Sequence, residues 1–185
     1  MRAALLVLAF AGAAHAASPS PAPVPSAERA APDARVESYF TPGDPVDRVV
    51  ASRIDSARRT VHVAAYLFTN RRIAAALARA AKRGVAVELV ADASQYASGG
   101  LPRLRDLDRA GVRIWLREGL AAFHHKVVVV DAASPSAVVM TGSFNFTQAA
   151  QDRNAENLVV IESRSVAARF LADFERHRAA SSRLQ

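Results

Sequence analysis

The sequence predicts an α/β fold in which helices cover both faces of a mixed β-sheet. Short apolar segments alternate along the chain with amphipathic segments of helical period, the pattern of alternating strands and helices. Residues 127–130 are four consecutive valines, which is typical of a strand buried on both faces. Strand, helix and strand follow one another over residues 60–92, an order that favours parallel neighbours joined by a right-handed connection.

The predicted strands begin at residue 36 and are separated by helices or by polar turns. They span residues 36–40, 60–68, 85–92, 112–116, 124–131, 138–141 and 157–162. Residues 93–100 are polar and contain glycine, so we predict a loop there. Residues 132–137 are predicted to form the turn of an antiparallel pair.

The predicted helices are bounded by residues that suit helix ends. Pro45 opens a helix that runs to about residue 59, because proline fits the first helical turn. Asn70 can cap a second helix with its side-chain oxygen, and that helix stops at Gly84. Further helices are predicted over residues 101–110 and 165–180.

The start of the sequence has the features of a targeting segment. Residues 1–16 contain Arg2, an apolar run and the small-residue sequence Ala14-His15-Ala16, which predicts a signal peptide cleaved after Ala16. The apolar run is shorter than the roughly 20 residues that a membrane-spanning helix needs. We therefore expect a periplasmic or secreted protein without an integral membrane segment in its mature chain.

The rest of the chain divides into a linker and one folded unit. Residues 17–34 are rich in proline and alanine and are predicted to be a flexible segment. Residues 35–185 are predicted to form a single domain, which the total length of 185 residues also favours.

Composition restricts the chemistry more than it identifies it. The chain has no cysteine, which excludes disulfides, thiolate nucleophiles and Cys-ligated zinc. Its formal net charge of +7 suits a polyanionic partner such as nucleic acid. Arginine supplies 22 of the 24 basic residues, so a codon bias toward arginine explains the positive charge equally well.

A histidine and a lysine two positions apart are the first candidates for chemistry. Side chains alternate along a strand, so His124 and Lys126 should share one face while His125 and Asp131 point to the other. An imidazole can attack phosphorus while an ammonium neutralises the non-bridging oxygens. The pair therefore suits an anionic phosphodiester.

Polar residues near the next strands can complete such an anion site. Ser143 and Asn145 can donate hydrogen bonds to the same phosphate oxygens. Glu156 is our candidate for the acceptor that fixes the histidine tautomer. Asp131 faces away from the phosphate, and we expect it to bind backbone amides or basic groups in a structural role.

In-line displacement at phosphorus needs a nucleophile on one side and a proton donor on the other. One histidine cannot occupy both positions, and the chain carries a single His-x-Lys motif without an internal repeat. The second histidine is therefore expected from another copy of the chain, related by a two-fold axis.

The combined motif resembles the signature of the phospholipase D superfamily. Its spacing is His124-x-Lys126, then Asp131, then Gly142-Ser-x-Asn; residues 142–147 and 154–157 are most similar to small bacterial endonucleases of the Nuc type, which carry one motif per chain. Upstream, residues 68–70 and the strand ending at residue 92 match the same pattern. The interval between Asp131 and Gly142 is longer than usual in the family, but residues 132–136 are mostly turn formers that fit a longer connection.

The resemblance implies a phospholipase D-like α/β sandwich and a metal-independent phosphodiesterase that needs no cofactor. It implies hydrolysis of DNA, and possible hydrolysis of RNA, by a non-specific endonuclease whose homodimer shares one active site. His124 would be the nucleophile that forms a phosphohistidine, or the general acid. The implied catalytic set also includes Lys126, Ser143, Asn145 and Glu156, while Asp131 and Gly142 are its structural members.

The remaining histidines have less specific interpretations. His125 does not fit the His-x-Lys spacing and is held to be structural. His62 lies in an apolar strand and is expected to be a satisfied core histidine, and His177 on the last helix is expected to be solvated. A metal site near His124 is disfavoured, because Lys126 would repel a cation.

Two other functions remain open from the sequence. A phospholipid phosphodiesterase would use the same chemistry on lipid headgroups, with Leu116, Leu120 and Phe123 as candidates for an apolar contact surface. The other hypothesis is a nucleic-acid-binding protein without catalytic activity.

Overall fold

A computed structural model of the chain describes residues 34–184. In this part of the chain, eight strands form one sheet: β1 (Arg35–Thr41), β2 (Thr60–Ala65), β3 (Ala86–Asp92), β4 (Arg113–Arg117), β5 (Lys126–Val130), β6 (Val138–Gly142), β7 (Glu156–Glu162) and β8 (Ser181–Arg183). The helices are α1 (Val46–Asp55), α2 (Arg71–Lys82), α3 (Ala93–Ala97), α4 (Leu104–Arg109), α5 (Gln148–Asp152) and α6 (Arg164–Ala179).

The sheet is mixed, and its strand order is β1-β7-β6-β5-β2-β3-β4-β8. Strands β2, β3 and β4 are parallel neighbours. Strand β5 pairs antiparallel with β2 on one side and with β6 on the other. The predicted fold class is confirmed.

The four valines of β5 contribute to apolar cores on both faces of the sheet. Each is 8% exposed or less. Val128 and Val130 belong to the core that includes residues of α1 and α2, whereas Val127 and Val129 belong to the core that includes residues of α6. Because side chains alternate along a strand, β5 packs into both cores, one on each face of the sheet. The run of valines predicted this burial on both faces.

Two helix predictions are confirmed, one of them with a shorter span. The side chain of Asn70 accepts a hydrogen bond from the backbone N–H of Ile73 at 3.0 Å and so caps α2 as expected. Helix α1 ends at Asp55 instead of continuing to residue 59. The backbone N–H groups of Arg58 and Arg59 donate to the carboxylate of Asp131, a contact that a longer helix would not allow.

Two segments next to Asp92, one in space and one in sequence, differ from their predictions. The strand predicted from residue 124 begins at Lys126, since the N–H of Phe123 donates to the carboxylate of Asp92 at 2.6 Å and holds the preceding segment near the end of β3. The predicted loop 93–100 contains α3, which is capped by the same Asp92. Helix α4 is also shorter than predicted, and α5 and β8 were not predicted at all.

The predicted signal peptide and the proline-rich segment lie outside the described residues, except for Ala34. Between residues 34 and 184, none of the helices has both the length and the apolar character needed to cross a membrane.

Candidate active site

The candidate site lies at the ends of central strands, where β5 begins and β6 ends; we call this end of the sheet the site edge. Val127 pairs with Thr141, so Lys126 and Gly142 are the next residues toward this edge. Strand β2 ends here as well, because its last residue, Ala65, pairs with Lys126. Adjacent strand ends therefore bring the two halves of the motif, residues 124–126 and 142–145, to the same edge.

Lys126 contacts His124 directly. Its Nζ lies 3.1 Å from Nδ1 of His124 and donates to the carbonyl oxygen of His124 at 3.0 Å. An ammonium group has only donors, so Nδ1 accepts, and the proton of a neutral imidazole then lies on Nε2. The resting arrangement thus selects one tautomer of His124.

Burial makes Lys126 an unusual cation. Only 7% of Lys126 is exposed, whereas His124 is exposed. Burial lowers the pKa of Lys126 below its ordinary value, and the negative charge of Glu156 opposes this shift. A cation with little solvent around it interacts more strongly with an anionic ligand than a solvated one does.

Ser143 connects the end of β6 to the start of β7. Its hydroxyl donates to Oε2 of Glu156 at 2.6 Å and accepts from the N–H of Asn157 at 3.0 Å. The other carboxylate oxygen of Glu156 accepts from the side chain of Asn154 at 3.0 Å. Glu156 therefore contacts Ser143 and Asn154 in this chain, and its predicted role in orienting His124 stays a prediction.

Gly142 allows β6 and β7 to approach closely at this edge. A Cβ atom at position 142 would lie 2.3 Å from the carbonyl oxygen of Asn157, and the residue has φ +158°. A side chain there would push β7 away and move Ser143 relative to Glu156. Glycine is thus required by the close approach of two backbones.

Asn145 has an unused polar atom. Its Oδ1 is buried and has no hydrogen-bond partner among residues 34–184. A buried acceptor without a partner costs about 1–3 kcal/mol. Its predicted role as a phosphate ligand stays a prediction.

Asp131 lies at the opposite end of β5 and holds the chain that enters β2. Its carboxylate accepts hydrogen bonds from the backbone N–H groups of Arg58, Arg59 and Thr60 at 2.9, 2.8 and 2.8 Å. Backbone amides are the kind of partner expected for this carboxylate.

His125 and His177 form a second polar cluster on the α6 side of the sheet. The His125 ring stacks on Phe123 with centroids 4.9 Å apart, and its Nδ1 lies 3.6 Å from the carboxylate of Asp173. The prediction of a solvated His177 was wrong, because this residue is only 8% exposed. Helix α6 packs on the sheet and covers the histidine, a long-range contact that the sequence does not reveal.

The same cluster has the ligand types of a metal site but is already paired. Ligand atoms of His125, Asp173 and His177 lie within 4.8 Å of one another. The guanidinium of Arg176 contacts the Asp173 carboxylate and lies 3.0 Å from Nε2 of His177. A metal ion would have to displace this cation from two of the three ligands.

His62 is only partly satisfied. Its Nε2 lies 3.9 Å from the carboxylate of Glu88, while its buried Nδ1 has no hydrogen-bond partner among the described residues. Burial lowers the pKa of His62 below its ordinary value, and Glu88 opposes the shift.

Sequence reasoning missed Tyr66 as part of the site. Its ring centroid lies 4.4 Å from that of His124, and Nζ of Lys126 lies 5.0 Å from the Tyr66 centroid. Its position near the end of the predicted strand 60–68 gave no specific signal, because the contact depends on the pairing of β2 with β5.

Comparison with known proteins identifies the family. The model of the family described as cardiolipin synthase, PLD-like domain, matches residues 50–178. The chain belongs to this phospholipase D-like family. It is therefore a phosphodiesterase of the phospholipase D superfamily.

Individual members of the phospholipase D-like family are similar over most of the chain. A phospholipase D of Rickettsia bellii is 36% identical over 140 residues, which cover 76% of this chain and 67% of that protein. The crystal structure of Nuc, a phospholipase D family member from Salmonella typhimurium, has 32% identity and a TM-score of 0.74, covering 83% of this chain and 99% of Nuc. NucT from Helicobacter pylori has a TM-score of 0.75 over 82% of this chain and 100% of NucT, and at 23% identity it supports the fold alone.

Proposed function

We propose that this chain is a metal-independent endonuclease of the Nuc type that hydrolyses DNA, and RNA as a second substrate, without sequence specificity. The main observation is that the exposed imidazole of His124 contacts the buried ammonium of Lys126 at the site edge, beside Ser143. The similarity to Nuc and the presence of one motif per chain support nucleic acid as the substrate over other phosphodiesters.

Binding of the substrate would change the partner of Lys126. A phosphate oxygen competes with Nδ1 of His124 for the ammonium, and an anion is the stronger acceptor. Once Nδ1 is released, it can carry the imidazole proton, with Glu156 as the proposed acceptor. Nε2 then presents a lone pair to phosphorus.

The proposed reaction has two displacement steps. Nε2 of His124 forms a bond to phosphorus while the bond to the leaving oxygen breaks, and that oxygen takes a proton from His124 of the partner subunit. Water then attacks phosphorus and gives its proton to the same partner histidine, and the N–P bond breaks. Lys126, Ser143 and Asn145 would bind the non-bridging oxygens throughout.

Cleavage of supercoiled plasmid in excess EDTA tests the activity. We expect nicking by the wild-type protein and a loss of about a thousandfold or more for His124→Ala. His125→Asn is the matched control and should keep the activity, since His125 contacts α6 rather than Lys126. A folded wild-type protein that binds DNA but leaves it intact would instead support the non-catalytic reading.

Mixing subunits tests the shared site. If each site needs two histidines, a randomised equal mixture of wild-type and His124→Ala chains retains about a quarter of the wild-type activity, because only wild-type dimers are active. Independent sites would retain about half.

The second candidate function is a phospholipid phosphodiesterase. Leu120 precedes the site and is 47% exposed, and Phe40, paired with Asn157 next to the site, is 58% exposed. Phe123, by contrast, is buried at 1% exposure, and Leu116 is partly buried, so neither offers the apolar contact surface predicted from the sequence. Headgroup release from phospholipid vesicles, together with intact plasmid, would favour this function over the nuclease.

Export to the periplasm or the medium remains part of the proposal. It rests on the sequence features of residues 1–16. Expression of the full chain followed by N-terminal sequencing of the periplasmic fraction tests it: export predicts a mature protein that begins at residue 17.

A further inference from the structure

Tyr66 lies with its ring beside both His124 and Lys126. Its ring is tilted by 55° against the His124 ring at a centroid distance of 4.4 Å, and the ammonium of Lys126 lies 5.0 Å from the same ring. Its backbone N–H donates to the carbonyl oxygen of His125 at 2.9 Å. One residue therefore contacts all three residues of the segment that carries the chemistry.

The hydroxyl of Tyr66 is fixed from the other side. Nε2 of Gln95, on α3, donates to it at 2.9 Å. The backbone N–H of Gln95 in turn donates to Oδ1 of Asp92 at 2.9 Å, so the position of Gln95 depends on the cap of α3. The Tyr66 ring is thus held at both ends, by its own backbone and by a helix.

Asp92 links this support to the catalytic segment. Its second oxygen accepts from the N–H of Phe123 at 2.6 Å, directly before His124, and the residue is only 3% exposed. Burial alone would raise the pKa of Asp92, but hydrogen bonds from Ser94, Phe123 and Gln95 hold it below its ordinary value. One ionised carboxylate therefore fixes both the helix that holds Tyr66 and the residue before His124.

We propose that Tyr66 is a positioning residue that fixes His124 and Lys126 relative to each other through its ring, and that Gln95 and Asp92 hold the ring in place. The ring face attracts the ammonium and packs against the imidazole, so it limits where both side chains can lie at the site. A catalytic pair depends strongly on such alignment, because a displacement of about 1 Å can cost about a hundredfold in rate. The kinetic consequence rests on the proposed function, whereas the effect on the His124 ring does not.

Variants at Tyr66 separate the ring from the hydroxyl. Tyr66→Phe keeps the ring but loses the bond from Gln95, so we expect a smaller fall, with kcat on a phosphodiester substrate within about tenfold of wild type. Tyr66→Leu removes the ring, and we expect kcat per folded protein to fall about a hundredfold with little change in KM. Tyr96→Phe is the control, since Tyr96 lies on the same helix α3 and packs against the core instead.

Two kinetic outcomes would overturn the proposal. Tyr66→Leu with the wild-type kcat would show that the ring does not position the pair. A loss in Tyr66→Phe as large as that in Tyr66→Leu would assign the effect to the hydroxyl instead of the ring.

A spectroscopic readout tests the inference without turnover. Nitrogen-15 NMR of the histidine rings reports the tautomer of His124, which should change in Tyr66→Leu but not in Tyr96→Phe. An unchanged His124 spectrum in folded Tyr66→Leu overturns the positioning role. If the wild-type protein cleaves no phosphodiester while the His124 spectrum still responds to Tyr66, the proposed function fails and the positioning role stands.

Discussion

Nζ of Lys126 and Nδ1 of His124 lie 3.1 Å apart, with the lysine buried and the imidazole exposed. The buried ammonium has exchanged water for contacts with the imidazole, the carbonyl oxygen of residue 124 and the Tyr66 ring. An anionic substrate at this edge therefore meets a cation that has little solvation left to lose.

Removal of the ammonium should abolish most of the catalysis. Lys126→Ala is expected to lower kcat/KM by about a hundred- to a thousandfold, the range for removing a preorganised charge-stabilising donor. Plasmid nicking rates under single-turnover conditions measure the effect. The matched control is Lys82→Ala, at the exposed end of α2, which should behave like the wild type. Equal losses in both variants would mean that only overall charge matters.

Asp131 should contribute to stability and not to catalysis. In Asp131→Asn, the amide nitrogen would face a backbone N–H donor, so we expect a loss of about 1–3 kcal/mol in the free energy of unfolding. Asparagine tolerates the backbone φ of +48° at this position, so the variant removes the charged acceptor without adding backbone strain. Urea unfolding measures the loss, and Asp152→Asn, whose exposed carboxylate accepts from Gln148, is the control. A selective loss of kcat in stable Asp131→Asn would contradict this role.

Local residue patterns predicted the parts of the fold that local physics determines. The cap formed by Asn70 and the two-sided burial of residues 127–130 both follow from side-chain chemistry and periodicity, and the structure has them as predicted. Strand β8 could not be predicted in this way, because its three residues are polar and become a strand only by pairing with β4.

The site shows the same division. The spacing of His124 and Lys126 correctly indicated that the two side chains meet. The prediction that they share a face of one strand was wrong, because His124 precedes β5. Tyr66 is near neither residue in sequence and reaches them only through the antiparallel pairing of β2 with β5. Side-chain contacts made by sheet topology need the strand order, which one sequence does not provide.

The buried His177 should make the protein less stable in mild acid. Burial lowers its pKa from 6.5 to about 4; Asp173 opposes the shift, and Arg176, His125 and Arg117 add to it. In the unfolded chain this histidine takes up a proton near pH 6.5, so its contribution to stability is complete above that pH and is lost as the pH falls toward 4. The loss amounts to about 3 kcal/mol.

A comparison with His177→Gln isolates this contribution. The free energy of unfolding in urea at pH 7 and at pH 4 should differ more in the wild type than in the variant, since glutamine does not titrate. The lowered pKa of His62 affects both proteins alike and cancels in the comparison, whereas His125 interacts with His177, so its response to the substitution is part of the measured difference. Equal pH dependence of the two proteins would refute the assignment to His177.

A side chain at position 142 should disrupt the site edge. In Gly142→Ala the added Cβ would meet the carbonyl oxygen of Asn157 at 2.3 Å, so β6 and β7 must separate. We expect a loss of about 1–3 kcal/mol in stability and a loss of cleavage beyond the unfolded fraction, because Ser143 moves from Glu156. Gly84→Ala is the control: it has a positive φ of +87° but open space around the new Cβ, so it reports backbone strain alone.

Glu156 should raise the upper pH limit of the reaction, which the titration of Lys126 sets. Its negative charge raises the pKa of Lys126 against the lowering effect of burial. In Glu156→Gln the pKa of Lys126 should fall further, and the alkaline limb of the kcat/KM profile should move to lower pH, because the neutral amine forms at a lower pH. Glu162→Gln at the far end of β7, where the carboxylate pairs with Arg53, should leave the limb in place. A profile that keeps its alkaline limb in Glu156→Gln would mean that a group other than Lys126 titrates there.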